Sequence, residues 1–103
     1  MRLGIAHPDR FLVSHAVDGY SLALDFKVTR ANRERLRELC HRMNDLVLEA
    51  GGRFYLAKDS TLRPSDARAY LGEETFAKIV SLKQELDPEG LFSTGLSRRV
   101  FGF

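Results

Sequence analysis

A helical repeat of apolar residues, cut off by two adjacent glycines, constrains this chain more than any other feature. Leu36, Leu39, Cys40, Met43, Leu46, Val47 and Ala50 recur at the spacing of one helix face, and Gly51-Gly52 follows at once. The spacing predicts a helix over Asn32 to Ala50, with Thr29 or Asn32 as N-cap and the glycine pair as C-cap. What comes next is GGRFYLAKDS, residues 51–60. Its middle, RFYLAK, reads as a short strand with Phe54, Leu56 and Lys58 on one parity and Arg53, Tyr55 and Ala57 on the other. With regular pairing Tyr55 and Lys58 face opposite sides; a bulge or a strand end near Ala57 lets them converge. Asp59 and Ser60 form a turn or helix cap.

Ahead of the helix, residues 1–10 carry Gly4, Pro8 and Asp9 and read as an irregular connection. Phe11 to Val17 and Tyr20 to Val28 then flank Asp18-Gly19, the pair that suits a type I′ turn, so a β-hairpin is expected. In its second strand Tyr20, Leu22, Leu24, Phe26 and Val28 share the face expected to pack on helices. Ser21, Ala23, Asp25 and Lys27 share the other, which would meet solvent or a ligand. After the glycines, residues 61–72 contain a Pro-Ser-Asp turn and at most a short helical turn. Glu73 to Leu86 is a second helix with Phe76, Ile79, Val80 and Leu86 as its stripe and Asp87-Pro88 as its stop. The expected fold class is α+β: a small mixed or antiparallel sheet with helices on one face, built as hairpin, helix, strand, helix and extended tail.

At 103 residues the chain is one domain, with little material left to enclose a whole ligand site. A content of 44% hydrophobic and 29% charged residues fits a folded domain, not a disordered tail. Sixteen basic residues against fourteen acidic ones give no nucleic-acid surface on charge alone, and the basic run RANRERLR is interrupted by glutamate as a solvated helix face is. No run is long enough for a membrane span or a signal peptide. Cys40 is the single cysteine, which leaves no internal disulfide and a cytoplasmic default. Cys40 and His41 point about 100° apart on a helix, and His7 and His15 lack ligand spacing, so no metal site is expected and Cys40 reads as a buried, inert thiol.

The last residues, PEGLFSTGLSRRVFGF, place Phe92, Phe101 and Phe103 among glycines that interrupt any regular element. Such a tail either folds back on the domain's own core or lies against a partner. At this point GGRFYLAKDS, the preceding GYSLALDF with its amphipathic helix, and the closing LKQELDPEGLFSTGLSRRV together resemble the C-terminal end of FAD-linked oxidases of the vanillyl-alcohol oxidase superfamily. The branch nearest in pattern is the decaprenylphosphoryl-ribose oxidases. The resemblance covers about Phe11 to Phe103.

The resemblance implies a portion of a cap, or substrate, domain, with residues 90–103 packing on an FAD-binding domain or chain that these residues do not include. It implies FAD as cofactor and a sugar or sugar-derived alcohol as substrate, oxidised by hydride transfer to flavin, and an isolated chain without activity. Lys58 matches the lysine near flavin and substrate, where an ammonium stabilises the charge that hydride arrival brings. Tyr55 matches a pocket tyrosine able to orient a sugar hydroxyl. Ser21 and Ala23 fall where the nearest branch has an asparagine and a cysteine facing the pocket, and Arg98 and Arg99 match a basic pair, with Arg99 assigned to the cofactor side. The rival reading, from another class, is a free-standing α+β interaction module that forms a homodimer when expressed alone.

Overall fold

A computed structural model describes residues 2–3, 10–15 and 18–103. Its elements in order are β1 (Arg2–Leu3), β2 (Gly19–Tyr20), α1 (Arg33–Glu49), a 3-10 turn at Leu56–Lys58, α2 (Pro64–Leu71), α3 (Glu73–Leu86) and α4 (Gly95–Phe101). The described residues are mostly helical, and the expected small sheet with helices on one face is not formed. Strand pairing among them is limited to β1 and β2, two residues each and antiparallel, with Arg2 opposite Tyr20 and Leu3 opposite Gly19.

Two strand expectations fail for a common reason: neither segment has a partner to complete a ladder. The hairpin about Asp18-Gly19 is replaced by pairing of Gly19–Tyr20 with Arg2–Leu3. Of its expected first strand, Phe11–Ser14 and His15 belong to no strand, and residues 16–17 lie outside the described set. Most of the irregular connection expected over 1–10 lies outside it as well. Residues 21–29, alternating in the manner of a strand, belong to neither helix nor strand. RFYLAK is no strand either: Tyr55 is extended, at φ −94° and ψ 97°, and the chain then tightens into the 3-10 turn with Lys58 N–H donating to Tyr55 C=O at 3.1 Å.

The central helix forms where its periodicity puts it. Asn32 precedes it, but its side chain reaches backward and not into the first turn. Oδ1 accepts from Thr29 N–H at 2.7 Å and Nδ2 donates to Lys27 C=O at 2.9 Å, which fastens the approach to the helix. At the other end Gly51 sits at φ +68°, its N–H donates to Leu48 C=O, and Gly52 N–H donates to Val47 C=O at 2.8 Å. This double closure satisfies two terminal carbonyls. Gly52 is needed for space: a Cβ there would stand 2.7 Å from Val47 Cγ1 and 3.0 Å from Val47 O.

Helix α2, read from sequence as little more than a turn, is the hub, touching α1, α3 and α4. Pro64 occupies the first helical turn, where its missing N–H costs nothing, and Arg63 N–H donates to the Asp66 carboxylate at 3.0 Å. A single residue, Gly72 at φ +82°, ends α2 and starts α3. The buried core takes Leu62 from the α2 approach, Ala67 from α2, Phe76 from α3 and Val100 from α4. Leu62 is 0% and Val100 1% exposed. The tail therefore divides. Helix α4, closed by reciprocal bonds between Thr94 and Ser97 at 2.8 and 3.0 Å, lies on the chain's own core, with Phe101 ringed by Phe76 and Phe103. Leu91 and Phe92 stay exposed, Phe92 by 78%.

Helix α1 joins this core by a polar clamp, and not by its leucines. Its one buried residue is Asn44, whose Nδ2 donates to Asp66 Oδ2 at 3.2 Å. Arg63 Nε donates to both Asp66 oxygens, at 2.9 and 3.0 Å, and its guanidinium also pairs with Asp45 of α1. Burial alone would push the Asp66 carboxyl up. The bonds from Arg63 and Asn44 outweigh that and hold it below the usual carboxylate range.

Candidate functional site

With α1 tied to the core through Asn44, part of its apolar face lines a groove. Leu36, Cys40, Met43 and Val47 form one wall, residues 20–22, 24–26 and 28 a second, and residues 52–55 and 58–61 the rest, around a volume of about 830 Å³. Leu22, Leu24, Phe26 and Val28 line this groove together with Ser21 and Asp25 of the other parity, so the two expected strand faces are not separated, and they do not close over α1: Leu22 remains 79% exposed. The molecule exposes 8142 Å², where a compact chain of 11.7 kDa exposes roughly 5,900 Å². Cys40, expected to be buried, is half-buried on the groove wall.

The 3-10 turn decides the question that strand parity left open. By coiling the chain between Tyr55 and Lys58 it brings both residues to the same groove, which Ser21 also lines. Ala23 and Arg99 are not on it. Ala23 is exposed. Arg99 lies in the last turn of α4, where Nη2 donates to Asp59 Oδ2 at 2.8 Å and Nη1 donates to Leu62 C=O at 2.5 Å.

Asp59 holds the turn from inside. Its Oδ1 accepts from Thr61 N–H at 3.2 Å and Leu62 N–H at 2.9 Å, while Oδ2 takes Arg99, and its side chain is only 9% exposed. Lys58 thus projects, exposed, from a turn whose next residue is fastened at three points.

His15 is the groove residue that sequence reasoning passed over, since spacing along the chain gave it no partner. Its ring lies 4.4 Å from that of Tyr55, centroid to centroid, tilted by 41°. Arg53 Nη1 donates to Ser14 C=O at 2.8 Å and fixes the segment beside the aromatic pair. The groove lining combines cations at Lys58, Arg33, Arg37 and Arg53, a carboxylate at Asp25, a phenol and an imidazole in contact, the Ser21 residue and apolar side chains of α1. That is a surface able to bond a sugar-sized polar group or cover a flat ring. Among the described residues no group of three or more His, Cys, Asp or Glu side chains is placed to hold a metal ion, and no helix is long and apolar enough to cross a membrane.

No protein-family model matches the chain, and no solved structure matches it. Among curated proteins it is similar to decaprenylphosphoryl-beta-D-ribose oxidase of Mycolicibacterium smegmatis, with 30% identity over 88 residues. The match takes in 85% of this chain but 18% of that protein. The chain thus spans less than a fifth of the length of the curated protein it is similar to.

Proposed function

We propose that this chain is a substrate-side portion of an FAD-dependent oxidoreductase that oxidises a sugar or sugar-derived alcohol, and that the groove is its wall of the active site. The observation that carries the reading is the convergence of Tyr55, Lys58 and Ser21 on one open groove in a chain whose curated relative is a ribose-derivative oxidase. The donor set fits one side of a flavin ring: the Tyr55–His15 pair and the α1 floor suit a flat aromatic face, and Lys58 supplies a cation at its rim. When bound, flavin would supply the hydride acceptor for the carbinol carbon, with the hydroxyl proton leaving to bulk solvent.

The chain's own residues bind and orient. Tyr55 Oη and Ser21 Oγ hydrogen-bond substrate hydroxyls, the Lys58 ammonium stabilises negative charge growing at the ring edge, and the apolar walls exclude water. The dinucleotide part of FAD is held by a partner domain or chain, against which the exposed Leu91 and Phe92 of the tail dock. The isolated chain is inactive on this reading, because half of the site is elsewhere.

A chimera tests it. The chain replaces the matching segment of the mycobacterial oxidase, and flavin reduction by substrate is followed by loss of flavin absorbance. Lys58→Ala is expected to slow reduction at least tenfold with flavin content unchanged. A flavin-loaded chimera whose reduction rate ignores Lys58→Ala, Tyr55→Phe and Ser21→Ala alike would sink the reading.

A further inference from the structure

We infer that Arg99 is a positioning residue for Lys58, acting through Asp59 from the far end of the chain; the functional meaning of this rests on the reading of Lys58 as facing the site. Arg99 and Asp59 are forty positions apart, and their ion pair is the direct bond between α4 and the turn that presents Lys58. Both ends of the bond are anchored. Val100, next to Arg99, and Leu62, whose carbonyl takes the second Arg99 donor, are neighbours in the buried core.

Asp59 spends its other oxygen on the N–H groups of Thr61 and Leu62, so one carboxylate ties the 3-10 turn, the α2 approach and α4 together. Remove the guanidinium, and the carboxylate keeps only its own local turn. The Asp59 side chain is only 9% exposed, and the planar guanidinium divides its two Nη donors between Asp59 Oδ2 and the Leu62 carbonyl, which fixes direction as well as distance. Arg99 is thereby committed to the protein. Its part is to set where the lysine stem begins, and contact with a cofactor would require giving up the bond to Asp59.

The test uses the whole chain and three variants: Arg99→Met, Arg99→Lys and Asp59→Ala. Amide hydrogen exchange and backbone NMR order are read at Lys58, Thr61 and Leu62, with α3 amides as an internal reference. Arg99→Met is expected to speed exchange at Thr61 and Leu62 about tenfold and lower order at Lys58, with α3 unchanged, and Arg99→Lys to restore much of it. Wild-type exchange at those amides in Arg99→Met overturns the inference, and so does an equal loss of protection across α3, which would mark a general scaffold role.

In the flavin-loaded chimera, Arg99→Met should slow flavin reduction and add nothing to Lys58→Ala, whereas additive losses overturn the link between the two residues. If Lys58→Ala itself has no effect while the turn still loosens in Arg99→Met, it is the proposed function that fails and the positioning stands.

Discussion

The two halves of this chain solve the same packing problem differently. Around α2, four buried side chains from four successive stretches close a small dry core. Around α1, a helix with an apolar stripe meets a second apolar segment and stays open. The type of contact holding each half differs: interlocked side chains in one, the Asn44–Asp66–Arg63 clamp in the other. An apolar face held at a distance by a polar clamp is a surface kept available, and the groove is the result.

The largest expected effect comes from the closed half. Leu62→Ala should lower unfolding stability by about 2–5 kcal/mol, read from the urea midpoint. If it costs no more than Leu46→Ala, which alters a residue 64% exposed, the two halves are not distinct in the way described.

Next is the clamp. Asp66→Ala leaves Asn44 and Arg63 without their shared acceptor, at a cost of about 1–3 kcal/mol, and should release α1 amides to exchange before those of α3. Because the folded-state Asp66 carboxyl is held below its ordinary 3.8, its stabilisation is present above that pH and is lost as pH falls through the lower, folded value. Asp66→Asn should flatten that acid limb in pH-dependent urea melts.

Gly52→Ala, forced against Val47, is expected to cost about 1 kcal/mol by shifting the exit of α1. A calorimetric midpoint unchanged from wild type would show that the helix end can relax.

The smallest stability effect has the opposite sign. The Tyr70 hydroxyl is buried with no hydrogen-bond partner among the described residues, so Tyr70→Phe should be neutral or stabilising by up to about 1 kcal/mol. Burial, with the nearby Asp59 charge, pushes this phenol up to about 12 from 10.0. Ionisation of this phenol therefore costs the fold nothing below pH 10 and lowers its stability as pH rises toward 12, and the Phe variant should lack this alkaline loss.

What the sequence made legible follows the same division. Helices α1 and α3 came from periodicity because each repeats an apolar stripe over at least three turns. The signals for α2 and α4 were shorter and of another kind. Pro64 with Asp66 two residues later, and Thr94 with Ser97, mark starts, and Gly72 and Gly102 mark ends; cap chemistry outweighed the weak stripe of a seven- or eight-residue helix. Residues 21–29 carry genuine strand alternation, yet a strand is defined by its neighbour, and local pattern cannot say whether one is present.

Of the five candidate residues, Lys58, Tyr55 and Ser21 line one groove and Ala23 and Arg99 do not; strand parity could not tell that Tyr55 and Lys58 share it, since that depends on three residues of 3-10 turn. His15 was invisible because its partner, Tyr55, is forty positions away.

The open stretch from Leu22 to Val28 also bears on how much of this protein a cell can keep. Its alternating apolar residues lack both regular structure and cover, a pattern that invites pairing between copies and attention from chaperones and proteases. On the proposed function, in which a partner completes the groove, abundance of the chain should follow the supply of that partner, the uncovered excess being cleared or polymerising.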